Sequence, residues 1–291
     1  VKQPLDGLGV SNTIRGAVAS WSKTLANELG EHGITVNNVL PGATGTERLT
    51  EILKNKSAKT GKSLDDVADG MKNAVPAKRF AKPEEIANAV SHGIMAIFGI
   101  VAMVLMLIKS DRPIESVSAI IFGFGIINLY TMSTIYHSLF HKTAKNIFQR
   151  FDHLSIYILI GATFAPALLL IPELQDPIFG FSTIGLGPLI FIIQWTLIAI
   201  GVVFKSIWIK KYMKLHLVLY LAMGWSAVVF IRQLYAYEPA SFWFILTGGL
   251  AYSIGVIFYT QPKIKYFHFI WHLFTATGTI LHFFAIYFYL Y

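Results

Sequence analysis

Residues 268–282, which read HFIWHLFTATGTILH, determine how the rest of the chain is interpreted. At about 100° per residue, a helix over this stretch places its polar side chains on one face. These side chains are His268, His272, Thr275, Thr279 and His282. The other positions are mainly Phe, Ile, Leu, Trp and Ala, so the helix has a lipid-like surface with one polar stripe. Because polar groups are costly in a membrane, the stripe is predicted to face the interior of a helical bundle.

Composition divides the chain of 291 residues into two unlike parts. Residues 1–90 carry 12 Lys+Arg and 10 Asp+Glu, as soluble domains do, whereas residues 91–291 carry the remaining 12 Lys+Arg and 6 Asp+Glu. The whole chain is only 14% charged, with a mean hydropathy of +0.56, whereas soluble proteins are typically about 25% charged. The absence of cysteine excludes disulfides and thiolate metal sites.

Seven apolar stretches approach the roughly 20 residues that cross a bilayer. They lie near 91–108, 117–139, 151–171, 184–204, 213–231, 241–260 and 266–289. The second, fourth and sixth connections hold nine Lys and Arg, against three in the others. By the positive-inside rule, the N-terminus is predicted to be cytoplasmic and the C-terminus outside. The +8 net charge is thereby explained by topology, and no nucleic-acid partner is expected. The predicted fold is all-α, with seven transmembrane helices and a small incomplete α/β fragment at the N-terminus.

This topology brings histidines from separate helices to one membrane depth. His268 and His272 are four residues apart at the inner end of the last span, a spacing that lets two imidazoles share a metal ion. His137 lies at the inner end of the second span. Three imidazoles with an open fourth position are typical of catalytic zinc, so these residues are predicted to bind Zn²⁺.

Two further residues are candidates for catalysis at the same depth. Asp152, at the predicted start of the third span, is expected to orient a water molecule or act as a general base. Ser133, four residues before His137, is expected to support the site or to stabilise an oxyanion. Alternatives remain open for both: Asp152 as a helix cap or as the partner of Arg150 or of a loop lysine, and Ser133 bonded to its own helix backbone. The other membrane histidines are interpreted as structural, namely His92, His141, His153, His216 and His282.

Residues 84–291 resemble the bacterial hemolysin III family of the progestin and adipoQ receptor superfamily. The matching motifs are Ser133-x-x-x-His137, Asp152-His153 followed by IYILIGATFAP, and His268-x-x-x-His272. The resemblance implies zinc bound by the three histidines, with Asp152 contacting it through water. It also implies a multi-pass protein of the bacterial inner (plasma) membrane. Some members of the superfamily are ceramidase-like lipid amidases, and the bacterial branch is named for hemolysis and linked to control of membrane lipids.

The N-terminal part resembles a different family. SNTIRGAVASWSKTLANELGEHGITVNNVLPGATGT (11–46) is similar to the second half of a short-chain dehydrogenase/reductase, with a helix over 16–29 and a strand over 34–40 ended by Pro41-Gly42. Where that family has its catalytic Tyr and Lys, this chain has Ser11 and Arg15, and the glycine-rich dinucleotide half is absent from the sequence. The fragment is therefore predicted to be inactive, with no nicotinamide cofactor.

Two domains are expected, a truncated dehydrogenase-like fragment over 1–83 and a seven-helix domain over 84–291. The string EEIANAV (84–90) fits both the end of the first and the start of the second. This favours the hypothesis that two unrelated sequences are joined there, and a fusion artefact is one version of it.

Three functions are considered for the membrane domain, with membrane lipids as its partners. The first is a zinc-dependent hydrolase of a lipid amide or ester in membrane-lipid homeostasis. The second is a membrane sensor or receptor with structural zinc. The third is a cytolysin, which is disfavoured because only the last span shows a clear polar stripe.

Overall fold

The computed structural model describes residues 8–38, 42–75, 77–177, 184–208 and 211–291. The chain forms two compact units, Val1–Phe80 and Ala81–Tyr291. Within the described ranges the regular structure is helical and no β-sheet forms.

The first unit consists of three helices, Gly9–Gly30, Glu47–Thr60 and Leu64–Asn73. The second and third helices begin where Thr46 and Ser63 accept hydrogen bonds from the backbone of the first turn. The predicted helix over 16–29 is confirmed as part of Gly9–Gly30.

The predicted strand over 34–40 is wrong for residues 34–38, which carry no strand pairing, and residues 39–41 lie outside the described part of the chain. A parallel strand needs neighbours in the same sheet, and the described residues supply none. The first helix accordingly leaves Val10, Ile14 and Trp21 60–78% exposed on its surface. Among the described residues of this unit, only Leu49 and Val67 are buried apolar side chains. The unit is a set of helices with very little core.

The second unit contains seven helices that are long and apolar enough to cross a membrane, which confirms the predicted number. They are Pro83–Lys109, Pro113–Ser138, Lys142–Leu170, Leu186–Ile207, Met213–Tyr237, Pro239–Tyr259 and Phe267–Tyr289, and they are called spans one to seven in that order. Spans one, two and six begin with proline, which is well placed there because the first helical residue needs no N–H donor.

Two spans differ from the prediction. Span three begins at Lys142, so most of the predicted connection over 141–150 is helical and Asp152 lies inside the helix. The interpretation of Asp152 as a helix cap is therefore wrong, and His141 holds that position, accepting from the backbone N–H of Ala144 at 3.4 Å. Span five is interrupted, because residues Trp225–Phe230 form a 3₁₀ helix between two α-helical segments.

Span three lies at the centre of the bundle and packs against spans two, four, five and seven. Gly125 in span two allows this helix to pack closely against span three. A Cβ at position 125 would lie only 2.4 Å from the Cβ of Ala162 in span three. Spans two and seven are joined by Tyr130, whose hydroxyl is 2.7 Å from that of Thr279. These contacts hold the helices that carry the candidate site residues.

A hydrogen bond joins Tyr291, which follows span seven, to the first turn of span two. The hydroxyl of Tyr291 donates to the carbonyl oxygen of Glu115 at 2.7 Å. Burial raises the pKa of Tyr291 to about 12, so the hydroxyl remains a protonated donor at ordinary pH. This contact fixes the ends of spans two and seven that are remote from the histidines.

Candidate metal centre

His137, His268 and His272 converge at one end of the bundle. His137 comes from the last turn of span two, and the other two come from the first turns of span seven. His272 is 1% exposed and His137 is 8% exposed. The rings of His137, His268 and His272 together offer three nitrogens that lie within 4.8 Å of one another. Within the described residues these three form the group that can hold a metal ion, and they are called the three-histidine centre.

The spacing of the nitrogens matches a shared ion. Nε2 of His268 lies 3.3 Å from Nε2 of His137 and 3.2 Å from Nε2 of His272. Two nitrogens bound to one tetrahedral Zn²⁺ at about 2.0–2.1 Å are separated by about 3.3–3.4 Å. The geometry therefore suits a tetrahedral ion with nitrogen ligands, although imidazole also binds other transition metals.

Asp152 and Ser133 lie together beside this centre. The buried hydroxyl of Ser133 lies next to the half-buried carboxylate of Asp152. The phenol of Tyr259 is within Coulombic range of Asp152, and its ring centroid is 6.4 Å from that of His268. Asp152 therefore lies near the three-histidine centre without belonging to the group of ligand atoms within 4.8 Å of one another.

The interpretation of Asp152 as the partner of Arg150 is wrong. Nη1 of Arg150 donates instead to the carbonyl oxygen of Ser206 at 3.0 Å, which joins spans three and four. Within the described residues, no Lys or Arg lies at ion-pair distance from Asp152. The carboxylate therefore has Ser133 as a neutral neighbour and no cationic partner among the described residues.

His92 is a part of the centre that the sequence reasoning missed. Its ring stacks on that of His272 with centroids 3.5 Å apart and planes at 11°. Both of its ring nitrogens, and Oδ1 of Asn88 one turn earlier, are buried without a hydrogen-bond partner in the described structure. The carbonyl oxygen of Asn88 lies near the His272 ring, just outside the geometry of a formed hydrogen bond. Two polar residues four apart on the apolar first span were the signal that could have revealed this face.

His216 and His282 lie away from the three-histidine centre. His282 bonds the carbonyl oxygen of Ile245 in span six at 3.0 Å, and His216 bonds the hydroxyl of Tyr157 at 2.7 Å. A Cβ at Gly248 would come within 2.3 Å of the His282 ring, so this histidine packs directly on span six. Its interpretation as a structural residue agrees with these contacts.

An apolar cavity of about 110 Å³ extends into the bundle from the side of the centre. Tyr259, Trp271 and Thr275 line it near the histidines, His282 also lies in its wall, and residues of spans two, three, five and six line its remainder. Trp225 and Ser253 close its wall between spans five and six, where the indole N–H donates to the serine hydroxyl at 3.0 Å. The arrangement places an apolar space next to a polar site.

Fold and site together define a seven-helix membrane protein with a buried three-histidine centre at one end of the bundle. Residues 80–283 match the family described as "Haemolysin-III related". The chain therefore belongs to the haemolysin-III related family.

Several relatives support this assignment over the same region. The chain is 38% identical to "Hemolysin-3 homolog" of Bacillus subtilis (strain 168), over 72% of this chain and 96% of that protein. It is 36% identical to "Hemolysin-3" of Bacillus cereus, over 71% and 91% of the two chains. It is also 31% identical to "Monocyte to macrophage differentiation factor" of Homo sapiens, over 76% and 92%.

The N-terminal residues match another family. Residues 2–92 match the family described as "Enoyl-(Acyl carrier protein) reductase". This match and the haemolysin-III match overlap at residues 80–92, a range that includes the string EEIANAV. The resemblance of the N-terminal part to short-chain reductases is thereby confirmed.

Proposed function

We propose that the protein is a zinc-dependent hydrolase of a lipid amide or ester, embedded in the bacterial inner membrane and acting in membrane-lipid homeostasis. The observation that supports this most directly is the position of Asp152. Its carboxylate lies next to Ser133, one helical turn before His137, and near Tyr259, whose ring centroid is 6.4 Å from that of His268. A purely structural metal site is usually closed by four protein ligands, whereas this one offers three imidazoles and a nearby carboxylate.

His137, His268 and His272 would hold the ion through Nε2. Bound there, zinc would supply Lewis acidity toward a lipid carbonyl and toward water. Asp152 is the residue positioned to accept a proton from the attacking water and to return it to the leaving amine or alcohol. Ser133, which lies next to the carboxylate, would help to keep it oriented toward the site.

The apolar cavity suggests the class of substrate. Its lining is mainly aliphatic and aromatic, and it begins beside the residues that flank the histidines. An acyl chain placed in this cavity would bring its carbonyl group toward the three-histidine centre. Apolar walls would also exclude bulk water from the reacting groups.

The proposal also includes the orientation of the chain in the membrane and the role of the first unit. The nine basic residues of the second, fourth and sixth connections support a cytoplasmic N-terminus, and therefore a centre near the cytoplasmic face. Residues 1–83 act as a separate, inactive fragment, because Ser11 and Arg15 replace the catalytic pair of the reductases. No nicotinamide or nucleic-acid partner is proposed.

The test uses the full chain purified in detergent, with zinc measured by mass spectrometry and fatty-acid release measured from ceramide and phospholipid. Asp152→Asn is expected to keep its zinc and to lose activity by roughly 10²–10⁴-fold, which is the usual contribution of a general base. His272→Ala is expected to lose both zinc and activity. His141→Asn is the control, because it replaces a histidine four residues after His137 that caps span three and belongs neither to the centre nor to the cavity lining.

The outcomes separate the three functions. Zinc without turnover, in wild type and Asp152→Asn alike, would favour a sensor or receptor with structural zinc. Leakage of dye-loaded vesicles without fatty-acid release would favour a cytolysin. Absence of zinc from the wild-type protein after growth in zinc-supplemented medium would contradict the proposal.

A further inference from the structure

A second buried polar cluster lies where spans three, four and five meet, at the same end of the bundle as the basic connections. It consists of Lys205, His153, His216 and Tyr157, and is called the Lys205 cluster. Lys205 is 2% exposed, His216 is 3% exposed and Tyr157 is fully buried. The cluster uses none of the residues that the proposed hydrolysis requires.

The ammonium group of Lys205 is not satisfied by its surroundings. In the described part of the chain, its hydrogen bond is to Sδ of Met213 at 3.5 Å, and no carboxylate lies at ion-pair distance. A thioether is a weak acceptor, whereas an ammonium group has three protons to donate. Burying an ammonium group without a counter-ion is unfavourable. A negatively charged acceptor bound beside Lys205 would therefore stabilise it.

His153 and His216 can each offer a ring N–H as a further hydrogen-bond donor to a ligand at this cluster. The hydroxyl of Tyr157 is 2.7 Å from Nδ1 of His216. With the phenol as donor, His216 carries its proton on Nε2 and offers that N–H to a ligand. Nδ1 of His153 is buried with no hydrogen-bond partner among the described residues. Both rings are within Coulombic range of Lys205.

Three helices thus present N–H donors to one place, and an anion with several oxygens matches such a set. The surroundings favour the same ligand, because Arg150 joins spans three and four next to Lys205, and Lys211 and Lys214 are exposed just before and at the start of span five. Basic groups at a membrane surface attract anionic lipid headgroups. We infer that the Lys205 cluster binds a phosphate group, supplied by the headgroup of an anionic phospholipid or by free phosphate.

The experiment measures ligand binding to the full chain in detergent by native mass spectrometry and by the shift in melting temperature. The probes are phosphatidylglycerol, inorganic phosphate and diacylglycerol, which has the same acyl chains and no phosphate. Phosphatidylglycerol is expected to be retained and to raise the melting temperature, and diacylglycerol is not. Equal protection by inorganic phosphate would assign the site to free phosphate, and protection by the lipid alone would assign it to a headgroup.

Lys205→Met is expected to weaken phosphate-dependent binding at least roughly tenfold, since it removes a buried charged donor while keeping an unbranched side chain. Lys214→Met is the matched control, because it removes the same charge from an exposed position nearby and should change binding less than roughly twofold. If Lys205→Met does not fold, His153→Phe keeps the lysine and removes the Nδ1 donor, with the same expected loss. Equal binding in wild type and the folded cluster variant, or no binding by wild type, would overturn the inference.

Discussion

At the scale of single residues, the stacking of His92 on His272 orients one imidazole of the three-histidine centre. The two rings are parallel to within 11° with centroids 3.5 Å apart, and the His92 ring also makes an edge contact with Tyr130 at 4.8 Å. A ring clamped in this way loses the freedom to rotate away from the ion. His92 is therefore a positioning residue for the proposed metal site.

His92→Ala is expected to lower zinc affinity by roughly 10–100-fold, the usual effect of removing a residue that supports a metal ligand. His92→Phe keeps a flat ring against His272 and should retain most of the affinity. Competition with a fluorescent zinc chelator measures both variants. Equal losses in Ala and Phe would show that the ring nitrogens, rather than the stacking, support the centre.

The residues of the centre could be predicted from the sequence to different extents. His268 and His272 were predictable because helical spacing puts both on one face, and His137 because charge-derived topology puts it at the same depth. The stack with His92 was not predictable, because spacing along one helix does not determine which neighbouring helix packs on it. The start of span three at Lys142 was missed because Lys142 to Arg150 have the charges of a connection and yet are helical.

At the scale of elements, the close packing of spans two and three positions the site. Span two carries Ser133 and His137, and span three carries Asp152. Gly125 allows the two helices to approach, since any Cβ there would overlap the Cβ of Ala162. The distance between these spans therefore controls the distance between carboxylate and histidines.

Gly125→Ala is expected to destabilise the protein by about 1–3 kcal/mol, because two rigid Cβ atoms cannot both occupy this contact and the helices must separate. Gly249→Ala is the control, since a Cβ there meets no atom within 4 Å and an alanine favours the helix. Thermal unfolding in detergent, followed together with zinc content, measures both effects. A Gly125→Ala protein that is as stable as wild type would show that the spans pack less tightly than this contact requires.

The elements of the first unit show where local sequence signals fail. The residues over 34–38 are rich in β-branched and polar side chains, and yet they form no strand. Strand propensity depends on packing and pairing partners, which this part of the chain lacks. The membrane helices were predictable because each satisfies its own backbone hydrogen bonds and so needs no partner to be helical.

At the scale of the whole molecule, the candidate site belongs entirely to the unit Ala81–Tyr291. All three histidines, Asp152 and Ser133 come from spans two, three and seven. The family match over residues 80–283 covers the same part of the chain. Metal binding should therefore depend on this unit alone.

Limited digestion with trypsin tests this independence on the intact chain. The first unit has only two buried apolar side chains among its described residues, and Arg15, Lys54, Lys56 and Lys59 are exposed on its helices. Segments with so little core open at low free-energy cost and are cleaved early. The membrane spans are protected because their helices are covered by detergent and by one another.

The expected result is early loss of the first unit and a stable fragment of the second unit that keeps its full zinc content. Loss of zinc in step with cleavage of the first unit would show that residues before the first span contribute to the centre.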